Sequence, residues 1–426
     1  MSVRWARAIH DQAHWLVIPV ALLLLFPSAW MSVGFAACLA LYGCRWIATG
    51  SPVPVSQANP AILTLLGMTA IGFVHSTAPD LAIVTAGQVV ASVTVFFVVL
   101  ERIQTREDLW RLAAVVVVIG LLIALATPFT VRWPSDKLFA LPALLFQEWP
   151  KFDKVSNSNI LGGALALSVP LAVSLVMQDR RALRILGAIS LFPLLMVLVL
   201  LQSRGAWFGL ALGLCAWAAL YRRWLLPLIP LGLIAAFGIN SWMGGPPPAQ
   251  FVYGPVANPR IGTFIERQDM WVQSLYLIRA NPVWGIGLGA YPRVAPYAWP
   301  YSPANPSQVQ NHTHNLFLQV ALDTGVLGSA AFIVLVVLAA AQAWKAYRGG
   351  LERSLAIGIL ASLVVLVVHG FGDVVVWGTS KPSVIWWMLL ALALGLNRVG
   401  ALAIEREDER LCPTAPTPST LRSTWN

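Results

Sequence analysis

Asp80-Leu-Ala-Ile-Val-Thr-Ala-Gly-Gln-Val-Val-Ala-Ser-Val-Thr-Val-Phe-Phe-Val-Val-Leu100 holds one charge in 21 residues, at its first position. As an α-helix it is about 30 Å long, which matches the hydrocarbon thickness of a bilayer. Its apolar residues are continuous and do not alternate, so it does not read as a barrel strand. Backbone in hydrocarbon must satisfy its own hydrogen bonds, and a helix does so. Similar runs recur near 14–26, 29–44, 59–76, 112–130, 158–177, 185–202, 205–220, 224–241, 315–343, 355–376 and 382–397. Together they predict an all-α integral membrane protein of about 12 transmembrane helices.

Composition points the same way. The chain has 426 residues, 58% hydrophobic and 11% charged, with a mean hydropathy of +0.72. A soluble domain carries about 25% charged residues. The net charge of +10 sits in short basic clusters between apolar runs, a pattern of membrane topology that gives no reason to expect nucleic acid as a partner. With the N-terminus inside, inner segments hold 18 of the 28 Lys and Arg, and the short outer connections hold only Arg204 and Lys381. Both termini are therefore expected on the cytoplasmic side. Cys38, Cys44, Cys215 and Cys412 form no CxxC pair, so no disulfide framework is expected. Pro27 breaks the first apolar run and no cleavage site follows it convincingly, so that run is expected to be retained.

This segmentation divides the chain into transmembrane helices 1–9 within 1–241, an outer loop at 242–314, helices 10–12 within 315–397 and a cytoplasmic tail at 398–426. The tail, with its acidic and basic cluster and Pro/Ser/Thr stretch, is expected to be solvated. A first outer loop lies near 131–157. The larger loop opens on Gly244-Gly245-Pro246-Pro247-Pro248, a stiff irregular stretch. Residues 260–280 then read as an amphipathic helix, with Ile261, Phe264, Ile265, Trp271, Leu275 and Ile278 on its apolar side. Such a helix is expected on the bilayer surface.

The residues able to carry chemistry gather on the outer side. Gln202-Ser203-Arg204-Gly205 places an arginine between two apolar spans, against the local charge bias. It is either an anchor that snorkels to the headgroups or a functional cation, with Gly205 leaving room for an anion beside the guanidinium. Arg267 sits on the loop helix among polar residues and gains interest from sharing a side with Arg204. Asn311-His312-Thr313-His314-Asn315 brings two of the six histidines to the point where the large loop meets a span. A metal pair, a capping role and a general base all fit. The base is preferred, because imidazole takes up a hydroxyl proton near neutral pH and no third ligand of Cys, His or carboxylate type lies close in sequence.

Gly285-Ile286-Gly287-Leu288-Gly289 lacks the strand–helix surroundings of a dinucleotide loop and reads as a tight turn on the membrane surface. His369 and Asp373, late in the eleventh span, read either as a proton relay or as a buried polar pair, and Asp323 is similar. There is no Walker motif, HExxH or acidic DxD pair in an outer loop. That argues against nucleotide hydrolysis, zinc proteolysis and metal-dependent sugar-nucleotide transfer. A substrate on the outer side must arrive already activated, for example on a lipid pyrophosphate.

Three stretches in this order, Gln202-Ser203-Arg204-Gly205-Ala206-Trp207, then Arg267, Trp271, Asn281-Pro282 and Gly285-Ile286-Gly287, then His312-Thr313-His314-Asn315-Leu316-Phe317-Leu318-Gln319 with Gly325 to Gly328, resemble the O-antigen ligase family within the ligase/polymerase superfamily. Asp323 stands where many relatives have glutamate. The resemblance implies a GT-C-like membrane glycosyltransferase of the bacterial inner membrane, with its large loop in the periplasm. It implies transfer of O-antigen from an undecaprenyl-pyrophosphate-linked donor to a lipid A–core acceptor, without metal or other cofactor. By motif it implies catalytic His314, Arg204 and Arg267, with His312, Asn315 and Arg293 as substrate-binding neighbours. An O-antigen polymerase or a protein oligosaccharyltransferase would use the same donor. Some polymerases carry Gly eleven positions after an outer-loop Arg. Here Arg132, Arg260, Arg267, Arg279 and Arg293 are followed by Ala143, Trp271, Ile278, Ala290 and Ala304, which favours the ligase. A proton-coupled transporter is the reading from another class, but no internal repeat is visible.

Overall fold

The computed structural model describes residues 2–131, 133, 157–227, 264–298 and 311–411, apart from Pro27 and Thr379, together with 230–232, 234, 238 and 241. Among them every regular element is helical. The N-terminal half holds α1 (Ser2–Asp11), α2 (Ala13–Leu25), α3 (Met31–Thr49), α4 (Asn59–Val74), α5 (Pro79–Arg102) and α6 (Arg106–Thr130). It continues with α7 (Ser158–Val176), α8 (Arg181–Leu200) and α9 (Arg204–Tyr221). Then come α10 (Phe264–Ala280), the short α11 (Tyr291–Val294), α12 (Leu316–Arg348), α13 (Arg353–Gly370) and α14 (Ser383–Leu411). Much of the expected first outer loop, the Gly244–Pro248 stretch, Ile261, Cys412 and the Pro/Ser/Thr tail lie outside the described residues.

Among the described residues, eight helices are long and apolar enough to cross a bilayer: α3, α5, α6, α7, α8, α12, α13 and the Ser383–Leu402 part of α14. The bent pair of α1 and α2, folded by 74°, raises this to nine. The sequence predicts twelve, and the shortfall has local reasons. α4 is a shorter apolar helix of 16 residues. α9 has 18 residues with Arg204 at its first position. The expected span at 224–241 is interrupted by residues outside the described ones. The eleventh span also ends early: α13 stops at Gly370, and the described residues that follow it, up to Pro382, are turns and irregular chain that carry Asp373.

Capping chemistry sets several helix starts. Thr105 and Asp108 form a reciprocal capping box on α6. The Asn157 side chain accepts from the Asn159 amide at the start of α7. In lipid, apolar area gives no drive for helices to associate, so small residues that allow close contact matter more. Gly205, Gly209 and Gly213 form such a stripe on α9. Cβ atoms there would come within 2.9 Å of His369 Nδ1, 3.2 Å of Val365 O and 2.6 Å of Val365 Cγ2 on α13.

Polar contacts divide the bundle into two ends. At one end Arg45 pairs with Glu101 at 2.8 Å, Arg106 with Glu352 at 3.7 Å and Arg180 with Glu107 at 3.3 Å. Of these, the exposed Arg180–Glu107 pair adds little stability, but together they place the ends of α3 and α5 and the starts of α6 and α13 at one end. The opposite end gathers the starts of α7, α9 and α12 and the end of α13.

The glycine-rich turn does more than lie on a surface. α12 is broken at Gly325, whose φ is 69° and ψ 179°. In an unbroken helix the Leu322 carbonyl would accept from the Val326 amide. Here Ile286 N donates to Leu322 O at 2.8 Å, and Val326 N donates to Pro282 O at 2.9 Å. Leu288 N donates to Gly72 O at 2.8 Å, and Ser76 Oγ to Leu288 O at 2.7 Å. The turn is thus wedged between the break in α12 and the end of α4, and it replaces the helical bond it interrupts. A Cβ at Gly325 would overlap the Val283 carbonyl, and its backbone conformation is one that only glycine adopts readily. Gly325→Ala is expected to destabilise the protein by about 1–3 kcal/mol. Gly43→Ala, in open space on α3, serves as control and should be neutral or slightly stabilising. Thermal unfolding of the two variants in detergent checks this, and equal melting temperatures would refute the wedge.

α10 corrects the expected apolar face. Its buried positions are Met270, Gln273, Ser274 and Leu277, while Val272, Leu275 and Tyr276 are exposed. Gln273 Nε2 donates to Ala295 O at 2.8 Å and Ala298 O at 3.0 Å. A half-polar inner face satisfied by loop carbonyls does not show in a hydrophobic periodicity.

Candidate active site

Asn315 ends the long loop and starts α12. Its backbone is extended, and its side-chain oxygen accepts from Phe317 N at 3.0 Å and Leu318 N at 3.1 Å. Asn315 is therefore a helix cap, which fixes the direction of the chain just before it. Thr313 Oγ donates to Asn315 O at 2.8 Å, and the Thr313 amide donates to Gln319 Oε1 at 3.1 Å. Between them His314 is held at a φ of +50°, a conformation uncommon for a residue with a Cβ. The result is that His312 and His314 face the same way, with ring centroids 4.4 Å apart.

Both rings meet Asp373. His312 Nε2 lies 2.9 Å from Asp373 Oδ1, and His314 Nδ1 lies 3.2 Å from Oδ2. The two histidine side chains are 17% and 15% exposed and the Asp373 side chain 1%. A carboxylate this dry persists because it is fully hydrogen-bonded. Burial opposes its ionisation, but the hydrogen bonds from His312 and His314 and their charge outweigh burial and hold Asp373 well below the usual carboxylate range. An ionised Asp373 accepts a proton-bearing nitrogen from each ring. In its neutral form His314 then carries its proton on Nδ1 and keeps the Nε2 lone pair for chemistry.

The sequence offers His369 as the partner of Asp373, and the structure corrects this. His369 Nε2 donates to the Asn159 carbonyl at 3.2 Å, and its ring fills the space above Gly205. The link between the two is a backbone turn, in which Gly372 N and Asp373 N both donate to His369 O at 2.8 and 2.9 Å. The pairing of Asp373 with histidines about 60 positions away leaves no periodic trace. Its one signal is a carboxylate just past the end of an apolar run. The room beside Gly205 is likewise taken by an imidazole and is not open.

The structure also supplies the third ligand-type residue that sequence proximity lacks. Potential ligand atoms of His312, His314 and Asp373 all lie within 4.8 Å of one another. A divalent ion would have to displace the two hydrogen bonds that the histidines make to Asp373.

The arginines come from two further elements. Gln202, at a φ of +51°, turns the chain sharply from α8 into α9, and Gln202 and Ser203 are buried. Arg204 follows as the first residue of α9, half-buried and within electrostatic reach of Arg267. Arg267 is half-buried on α10, with a guanidinium nitrogen 3.5 Å from the Cβ position of Gly372, next to Asp373. Arg204, Arg267, His312, His314 and Asp373 thus share one end of the bundle, supplied by α9, α10, the start of α12 and the end of α13. Two cations beside a histidine–carboxylate group can hold a polyanion and take up a proton. Arg293 is not brought to them in this structure. It pairs with Asp80 at 2.8 Å and donates to the Thr77 carbonyl at 3.4 Å, and it is exposed.

The fold and site define a multi-pass, all-α membrane protein with a buried histidine–carboxylate group flanked by arginines. Residues 188–333 match the family model Wzy_C, described as O-antigen ligase. The match takes in Arg204, Arg267, Arg293, His312, His314 and Asn315 and stops before His369 and Asp373. No curated protein matches the chain. The family supports a glycosyltransferase-like enzyme of the ligase/polymerase type acting on lipid-linked polysaccharide.

Proposed function

We propose that this protein is an O-antigen ligase, which transfers O-antigen from undecaprenyl pyrophosphate to lipid A–core at the periplasmic face of the bacterial inner membrane. The observation that carries the reading is the buried Asp373 bonded to both His312 and His314, beside two arginines suited to a pyrophosphate. His314 Nε2 takes the proton of the acceptor hydroxyl. The hydroxyl oxygen bonds to the anomeric carbon of the donor as the carbon–oxygen bond to pyrophosphate breaks. Arg204 and Arg267 stabilise the charge that grows on the leaving pyrophosphate, an effect strongest where water is excluded. A single displacement inverts the anomeric carbon. His312 shares the charge of Asp373, and Asn315 holds the segment as a cap.

The proposed topology has 12 crossings. It adds α4 and α9 to the helices above, with the bent α1–α2 pair as one span. It also needs one crossing at 224–241, because α9 ends where Tyr347 of α12 bonds the Leu220 carbonyl, whereas α10 begins near Asp373. The polar site then lies at the outer end, away from the midplane where transporter sites gather.

A deletion strain tests the reading on a lipopolysaccharide gel. Loss of all capped bands with retained lipid-linked polymer is expected; a single-repeat band would make the protein a polymerase. Metal dependence is a separate test. Transfer in a purified, reconstituted assay is expected to be unchanged by EDTA, and Zn2+ to slow it by occupying His312, His314 and Asp373. Loss of activity in EDTA, restored by a divalent ion, would reverse that assignment.

A further inference from the structure

We propose that Asp323 is a positioning residue that sets the two chain segments of the active site in register. This rests on the reading of His312, His314 and Asp373 as that site. Asp323 is fully buried in the last turn of α12 before the Gly325 break. Its Oδ2 accepts from Trp377 Nε1 at 2.8 Å. Its Oδ1 accepts from Gln319 Nε2 at 3.1 Å and from the Gly289 amide at 3.1 Å. Each donor leads to one part of the site. Trp377 lies four residues beyond Asp373 on the same irregular segment. Gln319 uses its other side-chain atom, Oε1, to accept from the Thr313 amide at 3.1 Å, and Thr313 sits between the two histidines. Gly289 ends the glycine turn that is wedged against α12.

One carboxylate therefore joins three stretches that share no secondary structure with one another. Buried networks of this kind fix a single arrangement only when every member is satisfied. Asp323 does not touch the reacting groups. It acts through Gln319 and Trp377, and a shift of about 1 Å in reacting geometry costs on the order of a hundredfold in rate.

The test uses the full-length protein in lipid nanodiscs, with Asp323→Asn and Gln319→Met as variants. Asp323→Asn turns one acceptor into a donor that faces Trp377 or Gln319. Gln319→Met keeps the side chain's length and cuts the arm to Thr313. Two readouts are taken. The first is carbethoxylation of histidines by diethyl pyrocarbonate, followed by mass spectrometry. The His312–His314 peptide is expected to react faster by roughly threefold or more as local opening becomes easier, while exposed His75 keeps its rate. The second is the kinetics of transfer, in which kcat is expected to fall on the order of tenfold or more with KM for the lipid-linked donor little changed. Unchanged reactivity of the His312–His314 peptide in both variants would overturn the proposal, and so would an equal rise at His75. Absence of transfer activity in the unmodified protein would overturn the ligase reading alone, because the carbethoxylation result stands without it. Asp323→Glu is expected to recover at least part of both readouts; failure of rescue with a normally folded protein also counts against positioning.

Discussion

His314→Ala is expected to lower the rate of glycan transfer on the order of a hundred- to ten-thousand-fold, the range lost with a positioned base. Asp373→Asn should fall in the same range, for a reason that is visible in the hydrogen bonds. His314 meets Asp373 through Nδ1, and an ionised carboxylate can only accept. In the neutral imidazole the proton is therefore on Nδ1, and Nε2 is free to take one. An asparagine can offer its NH2 to Nδ1. The imidazole would then carry its proton on Nε2, which removes the lone pair the acceptor hydroxyl needs. The shape of the site would survive while its chemistry is lost, as with the asparagine substitution in a serine-protease triad. Because the two residues act as one unit, His314→Ala/Asp373→Asn is expected to be no worse than the more damaging single variant. His312→Ala, which removes one donor to Asp373 and leaves His314 and the Val374 amide, should cost only about tenfold. Single-turnover transfer from lipid-linked glycan to lipid A–core, in vesicles with matched protein levels, measures all four. His314→Ala with near-normal turnover would show that another group takes the proton. Rates that multiply in the double variant would show that Asp373 and His314 work separately.

The residues of this site differ in how far sequence alone exposes them. Spans such as α5, α7 and α12 are legible because about 20 apolar residues in a row have few other uses. Arg204 is legible for the opposite reason, as a charge at a span boundary that runs against the topology. His312 and His314 are legible as a pair, but their purpose is not, since capping, metal binding and base catalysis all use imidazole. What favours base catalysis in our proposal is Asp373, which reaches them because α13 ends at Gly370 and the chain turns back through His369 O. Asp323 is hidden in the same way. Its partners Gly289, Gln319 and Trp377 come from three segments, and only one of the three follows helical spacing. The glycine turn shows its flexibility in sequence but not its target, because the Gly325 break that receives it lies within an otherwise regular helix. The inner face of α10 misleads a count of apolar residues, because Gln273 and Ser274 are buried with their hydrogen bonds met.

Arg204→Lys should separate the two roles of an arginine at this position, and a loss on the order of a hundred- to a thousandfold in kcat is expected. Lysine keeps the positive charge and can still snorkel, so an anchor would tolerate the change almost silently. It does not keep the planar fork that meets two phosphate oxygens together. Arg204 has an imposed geometry, since the turn at Gln202 and the contact of Gly205 with His369 fix where α9 begins. Arg267 comes from a different element and lies within electrostatic reach. Two guanidinium groups held this close repel each other, and half-buried surroundings screen them poorly. A polyanion bound between them would pair with both. Added pyrophosphate should therefore stabilise the unmodified protein more than Arg204→Gln, in which transfer is lost. Arg267→Lys should lower kcat by a similar factor. Exposed Arg293, tied to Asp80, should tolerate substitution with a change of at most about tenfold, because rim charges act mainly on encounter. Transfer kinetics and thermal unfolding with and without pyrophosphate distinguish the outcomes. If Arg204→Lys keeps full kcat and pyrophosphate stabilises both proteins equally, the arginines anchor the protein and the pyrophosphate site must be sought elsewhere.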